Sequence, residues 1–133
     1  NIELIAASLL DMDYHVLENP EISNPSAFED SAMAKYGLIT EIISRYKSPY
    51  FLHIFSSASG YSAGYYSYTW SAVLDADAFE MFKQNGLFDK KTATAFRKNI
   101  LEKGNTEDPA VLYKAFRGQE PSIEPLLKNR GLM

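Results

Sequence analysis

The chain has 133 residues, 46% of them hydrophobic, with 13 lysines and arginines against 17 aspartates and glutamates, for a formal charge of −4. This composition excludes a disordered tail and predicts one ordinary domain with a single core. The negative charge argues against general affinity for nucleic acid, which depends on cations that neutralise phosphates. The absence of cysteine excludes disulfides and thiolate metal sites, and it is compatible with the cytoplasm, where we expect the protein.

No apolar run approaches the roughly 20 residues that a transmembrane helix needs. The first residues, Asn1-Ile2-Glu3-Leu4-Ile5, lack both an initiator methionine and the basic region of a signal peptide. We therefore interpret Asn1 as a boundary within a longer protein, and we expect the targeting signals of that protein to lie outside this sequence.

Proline and glycine divide the sequence into predicted helices. The first apolar pattern begins at Leu4 and stops at Asn19-Pro20. The second begins at Asn24-Pro25, an N-cap followed by proline in the first turn, and ends at Gly37. The stretch from Leu38 to Pro49 allows either a short helix or an extended connector.

The longest continuous helical pattern runs from Gly60 to Asn85 and is followed by Gly86. Strand-like alternation is nowhere sustained, so the sequence predicts an all-α, multi-helix fold. Three shorter helices are predicted in the rest of the chain. The first is capped by Asp89 and ends at Gly104, the second starts at Asp108-Pro109 and ends at Gly118, and the third starts at Pro121 and ends at Gly131.

The segment from His53 to Trp70 has an unusual composition, rich in tyrosine, serine and glycine. At about 100° per residue on a helix, Tyr61, Tyr65 and Tyr68 fall within roughly 60° of one another, so their phenols would line one face. The small residues between them would let another backbone or a ligand approach closely. Phenols and imidazole are neutral at pH 7 and donate hydrogen bonds, which suits an oxyanion or a peptide carbonyl.

A structural interpretation of the same residues stays open. An aromatic stripe at helical spacing belongs to a core more often than to a site, and His53 alone is more often a satisfied polar residue than a ligand. The carboxylates of Asp75, Asp77 and Glu80 could pair for acid–base chemistry, but on a polar helix face we expect them to be solvated or salt-bridged.

A complete zinc hydrolase is excluded by the motifs. There is no H-E-x-x-H, and the two histidines, His15 and His53, are too far apart in sequence to form one helical ligand pair. We therefore expect no cofactor or metal ligand in this chain.

The Tyr-rich segment contains the motif Gly60-Tyr61-Ser62-Ala63-Gly64-Tyr65-Tyr66-Ser67-Tyr68-Thr69-Trp70, which continues to Phe79. This motif resembles the thimet-oligopeptidase family of zinc metallopeptidases, specifically its bacterial peptidyl-dipeptidase (dipeptidyl carboxypeptidase) branch. The resemblance extends over essentially all 133 residues. Further matches lie at Ala6 to Asp13, Tyr50 to Phe55, Phe96-Arg97, Gly104-Asn105, Asp108-Pro109, Phe116 to Pro121 and Arg130-Gly131-Leu132.

The resemblance implies a large, nearly all-helical, clam-shaped peptidase that admits short peptides and holds one zinc through an H-E-x-x-H motif and a downstream glutamate. All of these ligands precede the present segment in the family. Residues 1–133 would then be a C-terminal, substrate-contacting domain fragment, inactive alone, whose partners are short peptides and the missing zinc-bearing part. Neither nucleic acid nor a membrane is an expected partner.

The resemblance also implies roles for individual residues. Tyr68 matches the catalytic phenol that donates a hydrogen bond to the oxyanion of the scissile carbonyl. His53 and Tyr61 match residues that hold the substrate backbone, and Tyr65 is a candidate wall residue. The sequence departs from the family in the loop before Tyr61, which is usually shorter and Gly-Gly rich but here reads Ser56-Ser57-Ala58-Ser59-Gly60, and this difference bears on the reach of His53.

Two choices remain open from the sequence. Release of C-terminal dipeptides is favoured over internal cleavage because the C-terminal motifs resemble that branch more closely. The alternative to a peptidase is a non-catalytic helical interaction module that retains the family's residues, and an H-E-x-x-H upstream would distinguish the two. We also expect the fragment to form a homodimer through apolar surface on the first helix, Leu4 to Leu17, and on the Tyr-rich helix.

Overall fold

The computed structural model describes residues 1–57 and 60–133, so Ala58 and Ser59 of the Ser/Gly loop lie outside the described residues. The chain forms two compact units, Asn1–Thr69 and Trp70–Met133, where the sequence predicts a single core. Each unit has its own buried cluster. The regular structure of the described residues is entirely helical, which confirms the all-α prediction. No helix among them is long and apolar enough to cross a membrane.

The first unit is built on helices α1 (Ile2–His15), α2 (Pro25–Lys35) and α3 (Leu52–Phe55), with a 3-10 turn (Ser48–Tyr50) before α3. The predicted cap of α2 is confirmed, since the side chain of Asn24 accepts a hydrogen bond from the Ala27 N–H at 3.0 Å. The stretch before the 3-10 turn, which the sequence left open, consists of turns and bends. The buried cluster of this unit combines residues on or next to all three helices with one tyrosine: Ala6, Ala7, Leu10, Ala32, Met33, Phe51, Ile54 and Tyr65.

A buried carboxylate joins α2 to the 3-10 turn. The side chain of Glu29 is 1% exposed. It accepts hydrogen bonds from the Ser48 N–H at 2.6 Å, the Ser48 hydroxyl at 2.8 Å and Lys47 Nζ at 2.9 Å. Burial raises the pKa of Glu29, but the hydrogen bonds from Lys47 and Ser48 outweigh it, so the pKa lies below its ordinary value. This carboxylate therefore supports the segment that leads into α3.

The second unit contains most of α4 (Ser67–Asn85), then α5 (Lys90–Phe96), α6 (Pro109–Arg117) and α7 (Glu124–Asn129). A π-helical turn (Arg97–Leu101) follows α5 directly. The predicted cap at Asp89 is confirmed, since its side chain accepts from the Thr92 N–H at 2.7 Å. The predicted helix start at Asp108-Pro109 is also confirmed, and the Asp108 side chain accepts from the Ala110 N–H at 2.8 Å. Gly118 closes α6 with φ of +78°, the left-handed conformation that glycine adopts without strain.

The carboxylate of Asp77 lies in the interior of the second unit. It is salt-bridged, as expected, but it is 1% exposed and does not lie on a polar face. The Tyr113 hydroxyl donates to its Oδ2 at 2.6 Å, and Arg117 Nε lies 3.2 Å from the same oxygen. Asp75 is exposed and Glu80 pairs with Lys83, which agrees with the expectation of solvated or salt-bridged carboxylates.

The prediction of one continuous helix from Gly60 to Asn85 is wrong in its N-terminal part. α4 begins at Ser67, and residues 60–66 form bends and turns. Ala63 has φ of +54°, outside the right-handed helical region. The N–H groups of Ala63 and Tyr65 donate to the side chain of Asp11, so they are not available to a helical ladder. Long-range hydrogen bonds thus override a local helical pattern.

Candidate functional site

The site is built on the turn between α3 and α4. The Tyr61 N–H donates to the carbonyl of His53 at 3.0 Å, and the Ser62 hydroxyl donates to the carbonyl of Ile54 at 2.8 Å. Within the turn, the Gly64 N–H donates to the Tyr61 carbonyl at 2.8 Å. These bonds attach the turn to α3 and place Tyr61 beside the helix that carries His53.

The other support of the turn comes from α1. Asp11 is fully buried, and its Oδ1 and Oδ2 accept hydrogen bonds from the N–H groups of Ala63 and Tyr65, each at 2.9 Å. His15 Nδ1 lies 2.9 Å from Oδ1 of the same carboxylate. The turn is therefore held from two sides, by α3 and by a buried side chain of α1.

Asp11 was not among the site residues predicted from the sequence, although the sequence contains a signal for it. It directly follows Leu10 and lies four residues after Ala7, and both of these residues are buried on the same helix. A carboxylate on an apolar helix face must find hydrogen-bond partners inside the protein, because burying an unpaired charge is costly. That placement marks Asp11 as a residue with a specific buried partner.

The rings of Tyr61, Tyr65 and Tyr68, here called the tyrosine cluster, lie against one another. Tyr61 and Tyr68 are stacked, with centroids 5.4 Å apart and an angle of 22° between the ring planes. Tyr65 meets Tyr68 edge to face at 5.0 Å. The predicted association of the three phenols is therefore present, although a turn and not one helix face brings them together.

The three tyrosines differ in exposure. Tyr65 is 3% exposed and packs against Phe51 at 5.1 Å, so it belongs to the core of the first unit. Burial raises the pKa of Tyr65 above its ordinary value. Tyr61 and Tyr68 are 43% and 41% exposed. Tyr65 is thus the buried member of the tyrosine cluster, and the phenols of Tyr61 and Tyr68 are accessible to a ligand.

The hydroxyl of Tyr68 stays protonated well above neutral pH. Hydrogen bonding with the Tyr61 side chain, followed by burial, raises the pKa of Tyr68 to about 12. A phenol that holds its proton in this way remains a neutral hydrogen-bond donor at physiological pH. This is the protonation state that an oxyanion-stabilising group needs.

His53 lies at the edge of the tyrosine cluster. Its ring centroid is 5.6 Å from that of Tyr65 and 6.2 Å from that of Tyr61. The ring of Tyr46, which was not predicted to belong to the site, lies 4.7 Å from His53. Tyr46 belongs to the stretch whose conformation the sequence left open, so its direction could not be predicted. All four candidate site residues therefore meet in one place.

The sequence profile of peptidase family M3 matches residues 1–132 of this chain. The chain belongs to peptidase family M3. This membership confirms the resemblance to zinc metallopeptidases that the Tyr-rich segment indicated.

The relatives of the M3 chain include a dipeptidyl carboxypeptidase and an oligopeptidase. This chain is 42% identical to the dipeptidyl carboxypeptidase of Salmonella typhimurium over 132 residues, which are 98% of this chain and 19% of that protein. It is 49% identical to oligopeptidase A of Escherichia coli over 82 residues, 62% of this chain and 12% of that protein. The chain thus spans about a fifth or less of the length of these relatives.

The described residues of this M3 chain do not fit a zinc site. Among the residues that the structure describes, no group of three or more histidine, aspartate or glutamate side chains could hold a metal ion. His15 lies against Asp11, and His53 packs among aromatic rings. A catalytic zinc needs three protein ligands in close geometry. No chemical step is therefore assigned to a metal bound by this chain.

Proposed function

We propose that this chain is the C-terminal, substrate-contacting part of a zinc-dependent peptidase that hydrolyses short peptides. The observation that carries the proposal is the pair of stacked, accessible phenols of Tyr61 and Tyr68 in a chain of family M3. The zinc, in this proposal, is held by residues outside the chain. The rest of the same protein and short peptides are the partners.

Tyr68 is the proposed catalytic residue. Peptide hydrolysis passes through a tetrahedral intermediate whose carbonyl oxygen becomes an oxyanion, and a donor placed at that oxygen stabilises it. Two observations support Tyr68 for this role: its side chain is accessible, and its ring stacks on that of Tyr61. The hydrogen bond is stronger to the oxyanion than to the substrate carbonyl, so it lowers the barrier.

His53 and Tyr61 are the proposed contacts to the substrate backbone, and Tyr65 the proposed wall of the site. The rings of Tyr61 and Tyr65 lie next to that of Tyr68, with centroids 5.4 Å and 5.0 Å away. The ring of His53 lies next to those of Tyr61 and Tyr65, at 6.2 Å and 5.6 Å. The burial of Tyr65 suits a wall that supports the two accessible phenols more than one that contacts substrate directly.

Release of C-terminal dipeptides is proposed over internal cleavage. The match to the dipeptidyl carboxypeptidase of Salmonella typhimurium runs over 132 residues, whereas the match to oligopeptidase A of Escherichia coli runs over 82. The longer match favours the first activity, although the identity is higher over the shorter one. We further propose a cytoplasmic location, with which a sequence free of cysteine is compatible.

The test uses the full-length enzyme, meaning the protein in which this chain is joined to its zinc-bearing part. A synthetic peptide with a free C-terminus is incubated with the enzyme and the products are identified by mass spectrometry, with the C-terminally amidated peptide as the matched control. We expect C-terminal dipeptides from the free peptide and much slower cleavage of the amide. Internal fragments from both peptides would indicate an oligopeptidase instead. A parent sequence without H-E-x-x-H would favour the interaction-module alternative.

A further inference from the structure

A buried carboxylate outside the tyrosine cluster is connected to it through the backbone. Asp11 is fully buried in the first unit and therefore has no direct access to a substrate. Its two oxygens each accept one hydrogen bond, from the N–H groups of Ala63 and Tyr65 at 2.9 Å. These two N–H groups lie on either side of Gly64, in the turn that joins Tyr61 to Tyr68.

The turn that Asp11 binds is strained. Ala63 has φ of +54°, a left-handed conformation that an L-residue with a Cβ atom adopts at a cost. Such a conformation persists where the surrounding structure holds it in place. The hydrogen bond from the Ala63 N–H to Asp11 is one such restraint, and it reaches across 52 residues of sequence.

The conformation of the turn also fixes how the chain enters α4. The Ser67 N–H donates to the Gly64 carbonyl at 3.0 Å, and the Tyr68 N–H lies 3.4 Å from the Tyr65 carbonyl. A change at Ala63 or Tyr65 would therefore move the first turn of α4 and the ring of Tyr68 with it.

We propose that Asp11 is a positioning residue for peptide hydrolysis, acting on Tyr61 and Tyr68 through the backbone of Ala63 and Tyr65. The inference rests on the function proposed above. A carboxylate suits this task because both of its oxygens are acceptors and two N–H groups face it. His15 Nδ1 lies 2.9 Å from Oδ1 of that carboxylate, but its hydrogen-bond partner is the backbone carbonyl of Asp11 at 2.7 Å.

The first test is Asp11→Asn in the full-length enzyme. Asparagine has nearly the same size but presents one acceptor and one donor group, so one of the two N–H groups loses its partner. We expect kcat to fall about 10- to 100-fold with a smaller change in KM, because small displacements of catalytic groups cost rates of this order. Hydrogen exchange of peptides that cover residues 60–66 should become faster.

The matched control is Glu29→Gln, which removes another buried carboxylate of the same unit. Glu29 binds Ser48 and Lys47, and within the described residues it makes no hydrogen bond to the turn formed by residues 60–66. The variant should be less stable, should leave hydrogen exchange over residues 60–66 near the wild-type rate, and should lower kcat less than Asp11→Asn does. Equal effects of the two variants on kcat would overturn the positioning role.

A double-mutant cycle with Tyr68→Phe separates this inference from the proposed function. If Asp11 acts through Tyr68, the loss of the Tyr68 hydroxyl should cost less in the Asp11→Asn background than in the wild type. Additive effects would overturn the inference. A wild-type kcat for Tyr68→Phe would overturn the proposed role of Tyr68, and unchanged exchange in Asp11→Asn would separately overturn the role of Asp11.

A second variant covers the case in which Asp11→Asn does not fold. Ala63→Val increases the strain at φ of +54° while Asp11 stays intact, because β-branched residues tolerate the left-handed region poorly. It should lower kcat in the same way as Asp11→Asn. A wild-type kcat for Ala63→Val would show that the turn does not position Tyr68, and the inference would fail.

Discussion

The phenol rings of Tyr61 and Tyr68 are stacked at 5.4 Å, although the chain between them forms a turn that is not helical. Tyr61 raises the pKa of Tyr68 to about 12, with burial as the second cause. The two phenols therefore act on each other before any substrate binds, and their separate roles can be tested by removing one hydroxyl at a time.

Tyr68→Phe in the full-length enzyme should lower kcat about 10²- to 10³-fold and leave KM nearly unchanged, because the hydroxyl is expected to bind the oxyanion and not the substrate carbonyl. Tyr61→Phe should change kcat and KM together. Steady-state kinetics with thermal melts measure both effects. The control is Tyr66→Phe, at a neighbouring position that is also exposed. Lower stability with an unchanged kcat for Tyr68→Phe would assign Tyr68 to packing alone.

Ionisation of Tyr68 should depend on Tyr61. An ordinary tyrosine titrates near pH 10, whereas Tyr68 should titrate near pH 12. In protein labelled with ¹³C at the tyrosine ring, the Tyr68 signal, assigned by its loss in Tyr68→Phe, should stay that of a phenol at about pH 10.5. In Tyr61→Phe the same signal should begin to titrate at a lower pH. An identical titration in both proteins would contradict this coupling.

The salt-bridged carboxylate of Glu29 should make the free energy of unfolding depend on acidic pH. Its folded-state pKa lies below the unfolded value of 4.5, so its contribution is present above that pH and is lost as the pH falls through the folded-state pKa. Glu29→Gln should lower stability at pH 7 by about 2 kcal/mol and weaken this acid dependence. Urea titrations between pH 3 and pH 7 measure both. A parallel pH profile for the variant and the wild type would exclude Glu29 as the cause.

The hydroxyl of Tyr113 should stabilise the second unit up to high pH. Burial, and then the hydrogen bond to Asp77, raises its pKa well above the ordinary value of 10.0. The contribution is complete below pH 10 and is lost as the pH rises towards the folded-state pKa. Tyr113→Phe removes a hydrogen bond to a buried carboxylate and should cost about 1–3 kcal/mol at pH 7. Tyr50→Phe, at an exposed position, is the control in the same melts.

The isolated chain should neither bind zinc tightly nor hydrolyse peptides, because its residues offer no set of three ligands in the described structure. Metal analysis and a fluorogenic-peptide assay on the purified, tag-free chain test this.

We also expect the isolated chain to form a homodimer, because Ile5 on α1 and Val16 directly after it are exposed. Light scattering of the wild type and Val16→Lys would detect it, and a strict monomer at high concentration would contradict it.

Local features of this protein follow from its sequence alone. The caps at Asn24 and Asp89 could be predicted because a cap bonds to a backbone N–H two or three residues away, so a short window contains all the information. The family was also recognisable from the Tyr-rich segment, whose residues stand in one continuous stretch.

The start of α4 and the way in which the tyrosines meet depend instead on tertiary contacts. The N–H groups of Ala63 and Tyr65 bond to Asp11, 52 and 54 residues away. The local pattern around Asp11 indicates that it has a buried partner, but not that the partners are these two N–H groups. Asp77 is a similar case, since its burial depends on Tyr113 and Arg117 from another helix. Local propensity is a weak preference, and hydrogen bonds to a buried carboxylate outweigh it.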